Sequence, residues 1–276
     1  MSWKAALDVG YRYESQRTVA RHSHLGPLRI LQSLYPEGGA ICHNVLVHPP
    51  GGLVGGDTLG IGVDVGSGAH ALITTPGATR FYRSLGEPAV QDIRIRLESG
   101  ARLEWLPLEA ICHPGCIAQN RLSLMLAPGA EMMGWDITAL GLPASGQAFD
   151  SGSFCQHIEI PGVWLERGRM AADDAALMNG ALGLAGRRCI ASLFFCTGSA
   201  IERGRQQQAL DGAREAMQTH SLCDSAGVTS PNGQVVVLRV LSPMVEPAMD
   251  LLRRVWAQWR LTLWQLQPQL PRIWST

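Results

Sequence analysis

A regular alternation of apolar and polar residues runs through the first half of the chain. Between residues 61 and 136 it occurs three times, each time as an alternating strand, a Gly-Ala step and a second apolar strand. The steps begin at Gly68, Gly100 and Gly129, which lie 32 and 29 residues apart, and glycine suits a tight turn because it adopts positive φ at low cost. One strand pair per repeat predicts stacked β layers of the β-helix or solenoid type. Three ordinary hairpins in a β-sandwich would give the same pattern.

Further strands are predicted outside the repeat, and helices are predicted only near the end of the chain. Alternation predicts strands at Leu28–Ser33, Cys42–Val47, Cys155–Ile160, Val163–Arg169, Ile190–Thr197 and Gln234–Leu241. Helical spacing of apolar residues predicts helices over Arg205–His220 and Met244–Leu266. Ser242-Pro243 is the predicted N-cap and first helical residue of the second helix, and Pro247 is expected to delay its regular part by about one turn.

The predicted fold is therefore mainly β, with layered, solenoid-like sheets and two helices in the C-terminal third. We predict a single domain over residues 1–276, because no linker or low-complexity tract interrupts the pattern.

Composition and charge narrow the function classes. With 46% hydrophobic and 17% charged residues the chain is expected to fold. Lys+Arg and Asp+Glu are both 23, so no overall positive charge favours nucleic acid. The chain has no apolar run of membrane-spanning length and no apolar segment typical of a signal peptide. Its seven cysteines have no disulfide-like spacing, so we expect a reduced, cytoplasmic protein that binds no membrane.

A glycine-rich loop is the strongest local motif. The segment His48-Pro-Pro-Gly-Gly-Leu-Val-Gly-Gly-Asp57 lacks the Gly-Lys-Ser/Thr of a P-loop and leads into a predicted strand, not a helix. One interpretation is a tight double turn. The other is a metal- or anion-binding β-fold enzyme that uses the Gly51–Asp57 loop, with Arg80 and Arg83 as clamps. Asp57 would then present a carboxylate on a rigid backbone.

Other polar clusters are weaker signals. Arg80, Tyr82 and Arg83 fall in a turn after a predicted strand and would bind an anion, pair with acids or simply be solvated. Cys112 and Cys116 lack the spacing of a structural zinc site. We expect them to be buried small apolar residues, with a zinc-binding β protein that uses Cys112, His113 and Cys116 as the alternative.

Ten segments, in order along nearly the whole chain, carry a resemblance to a known family. They are Gly26–Arg29, Tyr35–Gly38, Cys42-His43, His48–Asp57, Thr74–Ser84, Leu103–Pro107 with Glu109, Trp135-Asp136, Leu140–Gly146, Leu165–Arg167 and Pro271–Trp274. In these segments the chain resembles the UreD (also called UreH) family of urease accessory proteins. It departs from the family pattern at Leu108, Ala110 and Cys112–Cys116.

The resemblance implies a layered β-helix-like fold with two C-terminal helices and no covalent chemistry. It implies a metallochaperone scaffold for urease maturation that binds apo-urease and UreF, with the GTPase UreG recruited through UreF. A dimer of such heterocomplexes is compatible with it. Ni²⁺ would be in transit through an internal, water-filled passage, and no cofactor would be permanently bound.

Oxygen ligands are the best candidates for such a passage. Clusters of His and Cys would retain Ni²⁺, which stands high in the Irving–Williams order, whereas spaced carboxylates and waters let an ion move on. The candidates are Asp57, Glu109, Asp136 and Glu166. Each could instead be a structural partner of Arg80, Arg83 or Arg167, because buried acids are usually paired.

The C-terminal tryptophans have two interpretations. Trp256 and Trp259 fall on one apolar stripe of the second predicted helix, close to several arginines. Such a stripe is most often core, but Trp and Arg are also enriched at interfaces. The second interpretation places part of this helix in contact with UreF.

Overall fold

Two β-sheets lie face to face, and two helices cover the outer face of one of them. The computed structural model describes residues 3–275. The first sheet has seven strands, in spatial order β14 (Trp164–Ala171), β13 (Gly152–Ile160), β11 (Cys116–Leu126), β8 (Ala89–Leu97), β5 (Thr58–Val65), β1 (Lys4–Glu14) and β2 (Arg17–Leu25).

The second sheet has ten strands. Eight follow one another as β16 (Ala226–Asn232), β17 (Val235–Ser242), β15 (Cys189–Thr197), β12 (Glu131–Leu140), β9 (Arg102–Leu106), β6 (His70–Thr74), β4 (Ile41–Val47) and β3 (Arg29–Ile30). The short strands β10 (Ala110–Cys112) and β7 (Thr79–Phe81) branch from β12. The α-helices are α1 (Ala175–Asn179), α2 (Arg203–Gln218) and α3 (Val245–Trp264).

The three sequence repeats form three stacked coils. Strands β5, β8 and β11 run parallel in the first sheet, and β6, β9 and β12 run parallel in the second. Gly68, Gly100 and Gly129 turn the chain from one sheet to the other with φ of 72°, 71° and 80°. The solenoid-like prediction is confirmed and the hairpin alternative is wrong, because the two strands around each turn belong to different sheets.

Stacking in register builds the core between the sheets. Ile61, Ile93 and Leu122 occupy equivalent positions on neighbouring strands and are all buried. Outward residues of the same strands are mostly polar, as expected when successive side chains point to opposite faces. A second apolar core lies between the second sheet and helices α2 and α3.

The helices depart from the sequence prediction in three details. Helix α1 was not predicted; its five residues are too few for a periodicity signal. Helix α3 begins at Val245 after Met244 as N-cap, whereas Ser242 ends β17 and its hydroxyl accepts a hydrogen bond from the Met244 N–H. Pro247 causes no delay, because it lies in the first turn, where its missing N–H has no intrahelical partner to lose.

The tryptophans of α3 face inward. Trp256 and Trp259 are both 0% exposed, and the Trp259 indole donates a hydrogen bond to the carbonyl of Ala209 on α2. Their side chains therefore pack the helix onto the protein and present no surface to a partner. Among residues 3–275, no helix combines the length and the apolarity needed to cross a bilayer.

Candidate functional site

A row of amide side chains interrupts the apolar interior between the two sheets. Gln91 on β8, Asn120 on β11 and Gln156 on β13 are in register on three adjacent parallel strands and point inward. The Gln91 amide donates a 3.1 Å hydrogen bond to the side-chain oxygen of Asn120. These amides bring polar atoms into a space that the neighbouring rows fill with buried apolar side chains.

Asp136 faces this row from β12 in the opposite sheet. Its carboxylate accepts hydrogen bonds from Asn120 Nδ2 at 2.7 Å and from Thr138 Oγ1 at 3.3 Å. Burial raises the pKa of Asp136, hydrogen bonds from Gln156, Thr138 and Asn120 oppose the increase, and the charge of Glu166 adds to it. The group is thus an oxygen donor whose ionised form is costly in the absence of a cation.

Three cavities follow one another along this polar row. Cavity A, of about 290 Å³, is lined among others by His48, Thr79, Arg80, Gln91 and Trp105. Cavity B, of about 20 Å³, is lined among others by Thr79, Gln91, Asn120 and Asp136, and it has room for about one water. Cavity C, of about 500 Å³, is lined among others by Asp136, Gln156, Glu166 and Arg239. Cavity B shares Thr79 and Gln91 with cavity A and shares Asp136 with cavity C, so the three lie side by side between the sheets.

Glu166 lies at cavity C and is held by an arginine from the other sheet. Arg239 on β17 donates to the Glu166 carboxylate through Nη2 at 2.7 Å and through Nε at 3.2 Å to both oxygens. The predicted partners Arg80, Arg83 and Arg167 are not used. Arg167 follows Glu166 directly on β14 and therefore points to the opposite face of the sheet.

Asp57 and Glu109 lie apart from these cavities. The Asp57 carboxylate is 1% exposed and accepts backbone N–H groups of Trp3 and Val54 at 3.2 and 3.0 Å, which anchors the glycine-rich loop. Glu109 is half-buried, and its charge contributes to the environment of Cys189 and Arg253. The structure thus brings Asp136 and Glu166 together and leaves Asp57 and Glu109 outside cavities A to C.

The glycine-rich loop packs tightly against residues 80–87. A Cβ on Gly52 would lie 2.4 Å from the Tyr82 ring, and one on Gly55 would lie 2.6 Å from the carbonyl oxygen of Glu87. The N–H groups of Gly51, Leu53, Val54, Gly56 and Asp57 all donate to protein oxygens. Because a phosphate loop needs free N–H groups, the double-turn interpretation fits and the anion-binding one does not.

Of Arg80, Tyr82 and Arg83, only Arg80 lines cavity A. Arg80 and Arg83 are exposed and form no ion pair with any described residue. The Tyr82 ring lies 4.7 Å from the imidazole of His113. Burial lowers the pKa of His113, and the nearby Arg80 lowers it further, so His113 is held neutral.

Cys112 and Cys116 are fully buried at the corner between the sheets. Burial raises the pKa of the Cys112 thiol, whereas a hydrogen bond from Cys112 lowers that of Cys116. Within residues 3–275, no three His, Cys, Asp or Glu side chains come close enough together to hold a metal ion. The zinc-binding alternative therefore has no ligand set in the part of the chain that the structure describes.

The amide row was not predicted, although the sequence contains a signal for part of it. Leu59, Gln91 and Asn120 each lie nine residues before the glycine of their own repeat. Alignment of the repeats on those glycines would have shown polar residues at an inward position in two coils. Gln156 and Arg239 lie outside the repeats, so no such alignment reaches them.

Comparison with known proteins shows the family of this chain. The family model described as UreD urease accessory protein matches residues 4–275. Proteins named "Urease accessory protein UreD" from Albidiferax ferrireducens, Polaromonas naphthalenivorans and Methylibium petroleiphilum are 66%, 64% and 49% identical to this chain, each over 100% of both sequences. The chain therefore belongs to the UreD family of urease accessory proteins, and its role lies in the maturation of urease.

Proposed function

We propose that this chain is a non-catalytic scaffold that binds apo-urease together with UreF and UreG and lets Ni²⁺ pass toward urease between its two sheets. The observation that carries the proposal is the carboxylate of Asp136, which faces a row of amides and lines two of three neighbouring cavities. A buried acid in such a place serves a cargo that is itself positively charged.

The donor atoms along the cavities fit an ion that has to leave again. Asp136 and Glu166 supply carboxylate oxygens, and Gln91 and Asn120 supply amide oxygens. Imidazole and thiolate would hold Ni²⁺ more tightly. Burial keeps the neighbouring Cys112 thiol protonated by raising its pKa, so this thiol would not compete for the ion. Ni²⁺ would be cargo, with no resident cofactor.

Arg239 supports a sequential transfer at cavity C. Its guanidinium neutralises Glu166 while the cavity is empty of cations. An arriving divalent ion would compete with the guanidinium for the same oxygens, and the freed Arg239 would weaken retention of the ion by repulsion. Binding and release would thus be closely balanced at this point.

The partner side of the proposal rests on the relatives' names, which describe accessory proteins of urease. We place the assembly in the cytoplasm. Trp256 and Trp259 are buried, so α3 would contact UreF through its exposed face, where Arg254 and Leu261 lie.

The proposal is tested by reconstitution with purified apo-urease, UreF and UreG at limiting Ni²⁺. Asp136→Ala removes the central oxygen donor, and Thr79→Phe fills the space shared by cavities A and B. We expect both variants to assemble normally and to lower the nickel content of urease several-fold. Asp64→Ala, an exposed carboxylate on the outer face of β5, is the matched control. Full nickel content with both inward variants would contradict the passage.

A further inference from the structure

Three arginines stand close together on the outer face of the first sheet. Arg121 on β11, His157 on β13 and Arg167 on β14 are register partners in one row across three strands. Arg169 lies two residues further along β14 on the same face. Arg121, Arg167 and Arg169 are exposed and line one groove of about 720 Å³.

Positive charge in this groove exceeds negative charge, although the whole chain has no net charge. The nearby acids already have partners, since Asp92 pairs with Arg94 at 2.6 Å and Glu159 with His157 at 3.0 Å. Arg167 and Arg169 form no ion pair with any described residue. Arg121 hydrogen-bonds only to the neutral amide of Gln119.

The groove lies next to cavity C. Gln156, Arg167 and Gly168 line both the groove and the cavity, so the edge strand β14 separates the two. An exposed apolar side chain, Leu165 at 56% exposure, lies two residues before Arg167 on the same face of β14. A surface that combines guanidinium groups with apolar side chains is typical of protein interfaces.

We infer that this groove docks a carboxylate-rich segment of a protein partner, which it holds next to cavity C on the other side of β14. The guanidinium groups of Arg121, Arg167 and Arg169 match carboxylates in planar, two-point hydrogen bonds. The inference rests on the proposed function, since the partner would be a component of the urease maturation complex.

The charge of the groove has a consequence for the route of the metal. Free Ni²⁺ is repelled by three unpaired guanidinium groups, whereas an acidic segment is attracted and steered toward them. Ni²⁺ would therefore reach this side of the sheet from the carboxylates of a docked partner and not from bulk solution.

The test is a binding measurement without nickel. The triple variant Arg121→Glu/Arg167→Glu/Arg169→Glu is compared with Arg21→Glu, an exposed arginine on the outer face of β2 at the opposite edge of the same sheet. Binding to purified apo-urease and to the purified UreF–UreG complex is measured separately at about 50 and about 300 mM salt. Apparent molecular mass and thermal unfolding establish that each variant is folded.

We expect the triple variant to bind one of the two partners at least about tenfold more weakly at low salt and to lose most of the salt dependence. The control variant Arg21→Glu should change neither the partner affinity nor its salt dependence. Unchanged binding of both partners, or an equal loss in the control, would overturn the inference. Binding of a short single-stranded DNA that the triple variant loses would assign the groove to nucleic acid and would overturn it as well.

A milder variant guards against misfolding, and the two proposals fail separately. Arg167→Gln/Arg169→Gln removes two charges without adding any, and it should weaken the same partner in the same salt-dependent way. Failure of the passage proposal would appear as full nickel content of urease with Asp136→Ala. Failure of the docking inference would appear as normal partner affinity in the arginine variants.

Discussion

Glu104 on β9 and Trp256 on α3 lie 152 residues apart in the chain, yet the Trp256 indole donates a 2.7 Å hydrogen bond to the Glu104 carboxylate. Both side chains are buried. His70 lies 3.0 Å from the same carboxylate, and Arg260 Nε lies 3.3 Å from it, within ion-pairing range. Arg260 also pairs with Glu37 at 2.8 Å. A buried ionic network therefore fixes the last helix to the second sheet.

Removal of Glu104 should destabilise the protein strongly. Glu104→Ala leaves the buried Arg260 with Glu37 as its remaining acidic partner, and loss of one member of a buried pair typically costs about 3–5 kcal/mol. The measurement is the free energy of unfolding in denaturant. Arg214→Ala breaks the exposed Arg214–Asp211 pair on α2 and should change that free energy by less than about 1 kcal/mol. Equal effects of both substitutions would show that the network is not stabilising.

The glycine-rich loop should not tolerate a methyl group at Gly55, whereas Gly77, outside the loop, has space for one. Gly55→Ala brings Cβ within 2.6 Å of the Glu87 carbonyl oxygen, and such overpacking typically costs about 1–3 kcal/mol. Gly77→Ala meets no atom within 4 Å and should stay within about 0.5 kcal/mol of the parent. Thermal unfolding compares the two, and equal melting temperatures would contradict the tight packing of this loop against residues 84–87.

The raised pKa of Asp136 predicts a pH dependence of stability with a defined sign. Burial makes the folded state bind the Asp136 proton more tightly than the unfolded state does, so stability falls as pH rises from about 4 toward the folded pKa. Asp136→Asn cannot ionise and should lack this loss. The unfolding free energy of the parent minus that of the variant should therefore decrease between pH 4 and the folded pKa and then level off. A difference that increases with pH would refute the assignment.

The cysteines should differ sharply in reactivity. Cys223 is exposed, whereas Cys42, Cys112, Cys116, Cys189 and Cys196 are buried. Burial raises the pKa of Cys189 to about 12, and only a thiolate reacts readily. A thiol reagent at pH 8 should therefore label Cys223 first in the folded protein, with half-buried Cys155 slower and the rest only after unfolding. Cys223→Ser should remove the fast phase, and its persistence would contradict this order.

Sequence alone predicted the local features of the fold well. The corner turns at Gly68, Gly100 and Gly129 follow from short-range signals. Helix α2 was predicted over Arg205–His220 and lies over Arg203–Gln218, because Glu202, which was not predicted as a cap, accepts the N–H groups of Gly204 and Arg205. Contacts between distant coils were not predictable in the same way. Whether Asp136 meets Asn120 depends on how the two sheets face each other, and no spacing in the chain records that.

The acidic candidates show the same limit. Asp57, Glu109, Asp136 and Glu166 are indistinguishable as carboxylates in the sequence, and only their neighbours separate them. The Asp57 carboxylate accepts hydrogen bonds from backbone N–H groups, whereas the Glu166 carboxylate pairs with Arg239, 73 residues away. Two of the four therefore share a cavity, and their roles as nickel ligands stay predictions.

The order of the elements along the chain affects how the protein is made. Synthesis proceeds from the N-terminus, so the coils carrying Glu104 and His70 emerge long before Trp256 and Arg260. Until α3 has been synthesised, one face of the second sheet lacks its cover, and the Glu104 carboxylate has His70 as a partner but lacks Trp256 and Arg260. A nascent chain arrested before α3 should therefore recruit general folding factors, and final compaction should follow the synthesis of α3.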